Sequence, residues 1–116
     1  MLTVNYLRQF GANVGEGLAR CMNNEAFYLK LVTKAVSDPA FDSLAEAVGA
    51  GDAERAFALA HSLKGVTANL ALTPLLTPVA ALTEMFRNGP ADGAEKLVGE
   101  LLAKRAELLS EISSQG

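Results

Sequence analysis

The chain has 116 residues, 50% of them hydrophobic, with a net charge of −3 and a pI near 5.1. This length suits one domain with one core, and it is too short for a kinase, a dehydrogenase or another two-lobed enzyme. Neither sign of charge forms a long run, which argues against a protein that tracks nucleic-acid phosphates.

The single cysteine, Cys21, excludes an intramolecular disulfide and a zinc site built from cysteine pairs. We expect a buried thiol in a reducing cytoplasm, and no signal peptide at the N-terminus.

Helix breakers divide the chain into helical segments, and no segment alternates like a strand. The sequence predicts short helices over residues 3–10 and 16–22, with Thr3 as the N-cap of the first. A third helix is predicted to begin after Asn23 and Asn24 and to end before Asp38 and Pro39. A fourth is predicted over residues 41–48.

The longest informative helix is predicted over residues 53–70, with Asp52 as its N-cap. For the next helix, Thr73 and Pro74 form a cap and first-residue signal, and Pro78 follows in the same pattern. Either the helix starts at Pro74 and kinks at Pro78, or a turn precedes a start at Pro78; the first alternative is preferred. A last helix is predicted over residues 92–112. Long helices joined by short turns indicate an antiparallel bundle.

Residues 65–83 carry no charge, which raises the question of a membrane span. The stretch contains polar side chains and two prolines, all of which a spanning helix would have to bury in lipid. Two helices that meet at a buried turn explain it better, so we expect no membrane association.

The only histidine, His61, lies in the segment FALAHSLKGVTANLAL. At about 100° per residue, it lies roughly 180° from the predicted core stripe, which consists of Ala56, Leu59, Leu63, Val66 and Leu70. Lys64 and Gly65 lie one turn further on the same outer face, which Phe57 begins and Ala68 continues. An exposed histidine on a helix is usually solvated and idle.

Gly65 nevertheless calls for an explanation, because glycine inside a helix costs about 1 kcal/mol relative to alanine. Its missing side chain would let a partner's backbone or a phosphoryl group approach the His61 ring closely. Lys64 could then neutralise a phosphoryl group on the imidazole. No Walker A, HExxH, CxxC or GxGxxG motif accompanies these residues.

The segment AHSLKGVTANLALTPL resembles the signature of histidine-containing phosphotransfer (HPt) domains, roughly A-H-x-L-K-G-x-x-x-x-L-G-x-x-x-L. The matching residues are Ala60, His61, Leu63, Lys64, Gly65, Leu70 and Leu75. Helix starts and stops around the motif also fit, so the resemblance extends from about residue 15 to 112.

The resemblance implies an all-α, antiparallel four-helix bundle of HPt type with extra short N-terminal helices. The whole chain, 1–116, would be a single HPt domain, with the bundle core at about 24–112 and an N-terminal helical segment at about 3–22. The expected fold therefore combines the family's bundle with a short addition.

The implied function is that of a phosphocarrier in a phosphorelay, without kinase activity of its own. His61 would accept a phosphoryl group from the aspartyl phosphate of a response-regulator receiver domain and pass it to another receiver. Lys64 would stabilise the phosphoryl group, and Gly65 would provide clearance. Phe57, Ala68 and Thr83 are expected to contact the partner, which is a receiver on its own or within a hybrid histidine kinase.

The resemblance further implies that magnesium belongs on the receiver, so this chain is expected to bind no metal or cofactor. The sequence departs from the family at two places. Alanine stands at Ala71, where glycine is common, and predicts a slightly different helix end. Thr83, followed by Glu84, stands where a Glu or Gln often steadies the imidazole.

Two other functions remain open. A helical adaptor could bind a receiver or kinase through the same face without carrying phosphate, although it would not need the trio of His61, Lys64 and Gly65. A metal or cofactor site at His61 is a weaker alternative, because one outward histidine without clustered ligands makes a poor site.

Overall fold

The computed structural model describes residues 1–114. This part of the chain is all-α, as predicted, with seven helices and no strand. The helices are α1 (Val4–Phe10), α2 (Val14–Arg20), α3 (Glu25–Val36), α4 (Ala40–Gly49), α5 (Ala53–Asn69), α6 (Thr73–Phe86) and α7 (Ala94–Ser113).

The later helices form a four-cornered bundle. α5 packs against α4 and α6, and α7 packs against α6 and α4. Therefore α5 and α7 occupy opposite corners, and α5 runs antiparallel to α4 and α6, to which short turns join it. Since α3 also packs against α7, α3 and α4 share the fourth corner. One cluster of buried side chains extends from Leu2 to Leu108, so the N-terminal helices belong to the same core.

Side-chain caps fix most helix starts. Oxygen atoms of Thr3, Asn13, Asn24 and Asp52 each accept a hydrogen bond from a backbone N–H three residues later. The predicted caps Thr3, Asn24 and Asp52 are thereby confirmed. The prediction for α2 was wrong by two residues at each end, because the cap is Asn13 and the chain turns at residues 22 and 23 with positive φ.

The helix after the motif continues through its second proline. α6 starts at Thr73, with Leu72 and not Thr73 as the N-cap, and Pro78 is buried inside it. The preferred alternative, a single helix starting near Pro74, is therefore confirmed. The last helix begins after Gly93, which has a φ of 84°, and so starts two residues later than predicted.

The turn between α5 and α6 contains the departure at Ala71. This alanine is buried and has a φ of 57°, in the left-handed region that favours glycine. Alanine therefore carries a conformational cost of about 1 kcal/mol here.

A buried arginine connects the two helices of the shared corner. From α7, Arg105 donates hydrogen bonds to the carbonyl oxygens of Val36 and Asp38, at 2.8 and 3.2 Å, and to the Asp42 carboxylate at 3.1 Å. The end of α3 and the start of α4 are thereby fixed to the same point on α7.

Side chains of α2 and α3 hydrogen-bond to carbonyl groups at the C-terminal end of α5, the helix that carries His61. Arg20 donates to the carbonyl oxygens of Ala68 and Asn69, at 2.6 and 3.1 Å. Tyr28 is fully buried, and its hydroxyl donates to the carbonyl oxygen of Leu70 at 2.8 Å. Because a helix end otherwise leaves such carbonyls unpaired, these contacts stabilise the C-terminal end of α5.

Tyr28 should make stability depend on pH in the alkaline range. Burial, the larger cause, and the nearby Cys21 raise its pKa from 10.0 to about 12. Because the folded pKa is the higher one, the contribution is complete below pH 10 and is lost as pH rises toward 12. We expect the free energy of unfolding to fall by on the order of 2 kcal/mol over this window.

Urea unfolding between pH 9 and 12 measures this effect, with Tyr28→Phe as the control. The variant should begin about 1 kcal/mol less stable, because it lacks the hydrogen bond to Leu70, and should then lose less stability with pH. Equal losses in both proteins would contradict the role of Tyr28.

Cys21 is a buried free thiol, as predicted. No helix within residues 1–114 is both long and apolar enough to cross a membrane. The uncharged residues 65–83 instead form the end of α5, the turn and much of α6.

Candidate functional site

His61 lies on the outer surface of α5, and its side chain is exposed as predicted. The predicted core stripe was partly wrong, since Leu59 is half-buried and Val66 is 39% exposed. The buried residues of the helix and its C-cap are Ala56, Ala60, Leu63, Thr67 and Leu70. This stripe is rotated by about 40° from the predicted one, so His61 lies about 140° from its centre and leans toward α6.

The surface around His61 has low relief. Ala58, Ser62 and Gly65 are all exposed and all have small side chains or none. A Cβ atom placed on Gly65 would meet nothing within 4 Å. Packing within this chain therefore does not require glycine at position 65, and the open space lies beside the imidazole.

Charged side chains of α5 and α6 meet next to this surface. Glu84 accepts two hydrogen bonds from Arg87, at 2.8 and 3.2 Å. The hydrogen bonds and charge of Arg87 lower the pKa of Glu84, and the positive charge of Lys64 lowers it further. Lys64, which is half-buried on α5, therefore interacts electrostatically with Glu84 across the two helices.

An aromatic side chain lies beside the imidazole. The rings of Phe57 and His61 are parallel within 4°, with centroids 5.8 Å apart. The guanidinium carbon of Arg87 lies 5.5 Å from the centroid of the Phe57 ring. Both separations fall within the range of favourable aromatic and cation–π contacts. Phe57, His61 and Arg87 therefore form one connected group.

One predicted partner contact was wrong. Thr83 is fully buried, and its hydroxyl donates to the carbonyl oxygen of Val79 at 2.9 Å. A side chain buried in this way cannot contact a partner unless the structure changes. Ala68 is half-buried, on the same side of α5 as Phe57 and Lys64.

The structure thus brings together His61, Lys64, Gly65 and Phe57. It adds one residue of α6 and the C-cap of that helix, neither of which was predicted as part of the site. These are Glu84 of α6, which follows Thr83, and the C-cap residue Arg87. Their separation by three residues is typical of a helical ion pair, but the sequence alone does not place that pair beside His61.

The site offers one reactive group, the His61 imidazole. The side chains that could have engaged it from α6 have other partners, Val79 for Thr83 and Arg87 for Glu84. Within residues 1–114, no three His, Cys, Asp or Glu side chains lie together in a way that could hold a metal ion. An accessible imidazole of this kind can act as a nucleophile toward a group that a partner brings.

Comparison with known families identifies a match to the Hpt domain over residues 33–114. The match begins within α3, later than the residue 15 expected from the motif, and includes α4 to α7 with His61. No curated protein and no solved structure matches the chain. Because the family match covers more than half of the chain and contains the bundle with its exposed histidine, the protein belongs to the Hpt domain family.

Proposed function

We propose that this protein is a phosphocarrier in which His61 receives a phosphoryl group from a receiver domain and passes it to another. The observation that carries this proposal is the open space at Gly65 beside an exposed imidazole. A glycine that costs about 1 kcal/mol in a helix and is not needed for packing is explained if a partner must approach there. The family to which the chain belongs works in phosphorelay signalling, which agrees with this reading.

In the proposed reaction, a phosphoryl group moves from a carboxylate oxygen of the receiver to a ring nitrogen of His61. A ring nitrogen of neutral His61 attacks the phosphorus of an aspartyl phosphate, a P–N bond forms, and the P–O bond to the aspartyl carboxylate breaks. The carboxylate leaves with that electron pair, and the phosphorylated ring, now an imidazolium, releases the proton on its other nitrogen to solvent. The return reaction to a second receiver reverses these steps.

The receiver supplies the remaining chemistry in this proposal. Magnesium, bound on the receiver, would offset charge on the phosphoryl group, and this chain would need no metal, cofactor or kinase activity of its own. The receiver, free or within a hybrid histidine kinase, would cover His61, Gly65, Ala68 and Phe57. Their low relief and lack of charge suit a contact that excludes water. We place this exchange in the cytoplasm.

The direct test is incubation of the protein with a receiver domain phosphorylated on its aspartate. We expect acid-labile, alkali-stable phosphate to appear on this chain within the time that the receiver loses it. Receivers from several systems should be tried, because the sequence does not name the partner. Failure of every active receiver to transfer phosphate, despite measurable binding, would favour the adaptor alternative.

Lys64 separates the carrier from the adaptor. On the carrier proposal its charge matters most when His61 bears phosphate, so Lys64→Ala should slow phosphorylation or weaken phosphate retention by about threefold to thirtyfold. Binding to the unphosphorylated receiver should change less. Transfer rates and binding constants are measured on the same variant, with Lys96→Ala, an exposed lysine of α7, as the control. A large, salt-dependent loss of binding with unchanged transfer at saturating receiver would instead indicate a contact at the interface edge.

A further inference from the structure

The His61 ring stacks on Phe57, and Phe57 in turn contacts the guanidinium group of Arg87. We propose that Phe57 is a positioning residue, which holds the plane of the imidazole by stacking and is itself held by Arg87. This inference rests on the proposed function and deepens it, because it assigns how the acceptor is presented to a partner.

The first support is the geometry of the two rings. They are parallel within 4° at a centroid separation of 5.8 Å, and they lie one helical turn apart on α5. Offset parallel stacking of this kind is favourable. Thr83 stands where the family often has a Glu or Gln that steadies the imidazole, but its hydroxyl donates to Val79, and the neighbouring Glu84 is engaged with Arg87. Stacking is therefore the observed restraint on this ring.

The second support is the environment of Phe57. Its ring is half-buried in a groove between the start of α5 and the end of α6, where Phe86 and Arg87 are neighbours. The guanidinium group of Arg87 lies 5.5 Å from the ring centroid, and two hydrogen bonds to Glu84 fix that group in turn. A restraint therefore passes from Glu84 through Arg87 to Phe57, and from Phe57 to His61.

Stacking restrains the ring differently from a hydrogen bond. A hydrogen-bond acceptor would occupy one ring nitrogen and fix the tautomer. Contact with the ring face leaves both nitrogens free while limiting rotation of the ring plane. The attacking lone pair is thus aimed, and no hydrogen bond has to be broken when a phosphoryl group arrives.

This role differs from that of a simple docking contact, and three variants distinguish them. Phe57→Leu removes the ring, and Phe57→Tyr keeps it. Phe10→Leu is the matched control, because Phe10 is also half-buried, stacks on an aromatic ring at 6.3 Å and has a lysine ammonium 5.9 Å from its centroid, but lies on α1. Thermal unfolding of each variant verifies that it is folded.

Two measurements are made on each protein. The ¹³C relaxation order parameter of the His61 Cδ2–H bond reports ring motion without any phosphate. Transfer from a phosphorylated receiver, followed as a function of receiver concentration, gives the rate at saturation and the concentration for half-saturation.

We expect Phe57→Leu to lower the order parameter and to reduce the saturated transfer rate by about threefold to tenfold. The concentration for half-saturation should rise by no more than about threefold, because Phe57 is also one of the residues that the receiver would cover. Phe57→Tyr should restore both, and Phe10→Leu should change neither. The inference is overturned if the order parameter does not change, or if only the half-saturating concentration rises. A wild-type chain that accepts no phosphate would overturn the proposed function instead, and the order parameters would still decide whether Phe57 holds the ring.

Discussion

A His61→Gln variant is expected to lose acid-labile phosphate labelling by at least about a hundredfold while it remains folded. His61 is the only histidine in the chain, and the amide of glutamine has no comparably nucleophilic nitrogen. Because the imidazole is exposed, its loss removes only the contact with Phe57, so the free energy of unfolding should change by less than about 1 kcal/mol.

The measurement is transfer from a ³²P-labelled receiver, followed by acid and alkali treatment of the labelled chain. Ser62→Ala is the matched control, because Ser62 is the exposed hydroxyl next to His61 and would form an acid-stable ester. This control should keep full labelling. Receiver binding by His61→Gln should stay within about threefold of wild type, since one exposed contact contributes little. Undiminished acid-labile phosphate on His61→Gln would disprove the assignment.

Local sequence signals predicted most of the fold. The capping side chains of Thr3, Asn24 and Asp52 act on backbone N–H groups three residues away, so the information needed to place those helix starts is contained in a few neighbouring residues. The bounds of α2 were wrong because they depend on one such local signal, the cap at Asn13, which was missed among the neighbouring glycines. The way α3 and α4 share one bundle corner depends on Arg105, about 70 residues away, and no local signal contains that contact.

The face of α5 was predicted less accurately because hydrophobicity and burial differ there. Val66 is apolar but 39% exposed, whereas Thr67 is fully buried. Thr67 is tolerated inside because its hydroxyl donates to the carbonyl oxygen of Leu63 at 2.8 Å. Ala60 is also buried, and its small side chain allows α5 to approach its neighbours closely. A pattern that counts large apolar residues therefore assigns the stripe about 40° away from its true centre.

In the candidate site, too, the sequence predicts the residues that share one helix but not those that helix packing brings in. Lys64 and Gly65 share a helix with His61, so helical geometry was enough to group them. Glu84 lies on α6 and Arg87 is the C-cap of that helix, and their place beside Phe57 depends on how α5 and α6 pack. The parallel arrangement of the Phe57 and His61 rings depends on side-chain rotamers as well, which the sequence does not specify.

Substitution of Gly65 should raise the free energy of unfolding and lower the rate of phosphoryl transfer. A Cβ at position 65 meets nothing within 4 Å, and the residue lies inside α5, so Gly65→Ala should raise the free energy of unfolding by up to about 1 kcal/mol. The same Cβ occupies the space through which a receiver would reach His61. Gly65→Ala should therefore slow transfer slightly, and the longer side chain of Gly65→Gln should slow it by about tenfold or more, a barrier increase of about 1.4 kcal/mol.

Gly99→Ala is the matched control for this prediction. Gly99 is exposed inside α7, a Cβ there also meets nothing within 4 Å, and α7 lies at the corner of the bundle opposite α5. We expect Gly99→Ala to gain the same stability, measured by urea unfolding, and to transfer phosphate at the wild-type rate. Slower transfer in Gly65→Gln alone would then reflect obstruction beside His61 and not a change in helix stability. Wild-type transfer by Gly65→Gln would show that no partner approaches the imidazole across position 65, and the glycine would need another explanation.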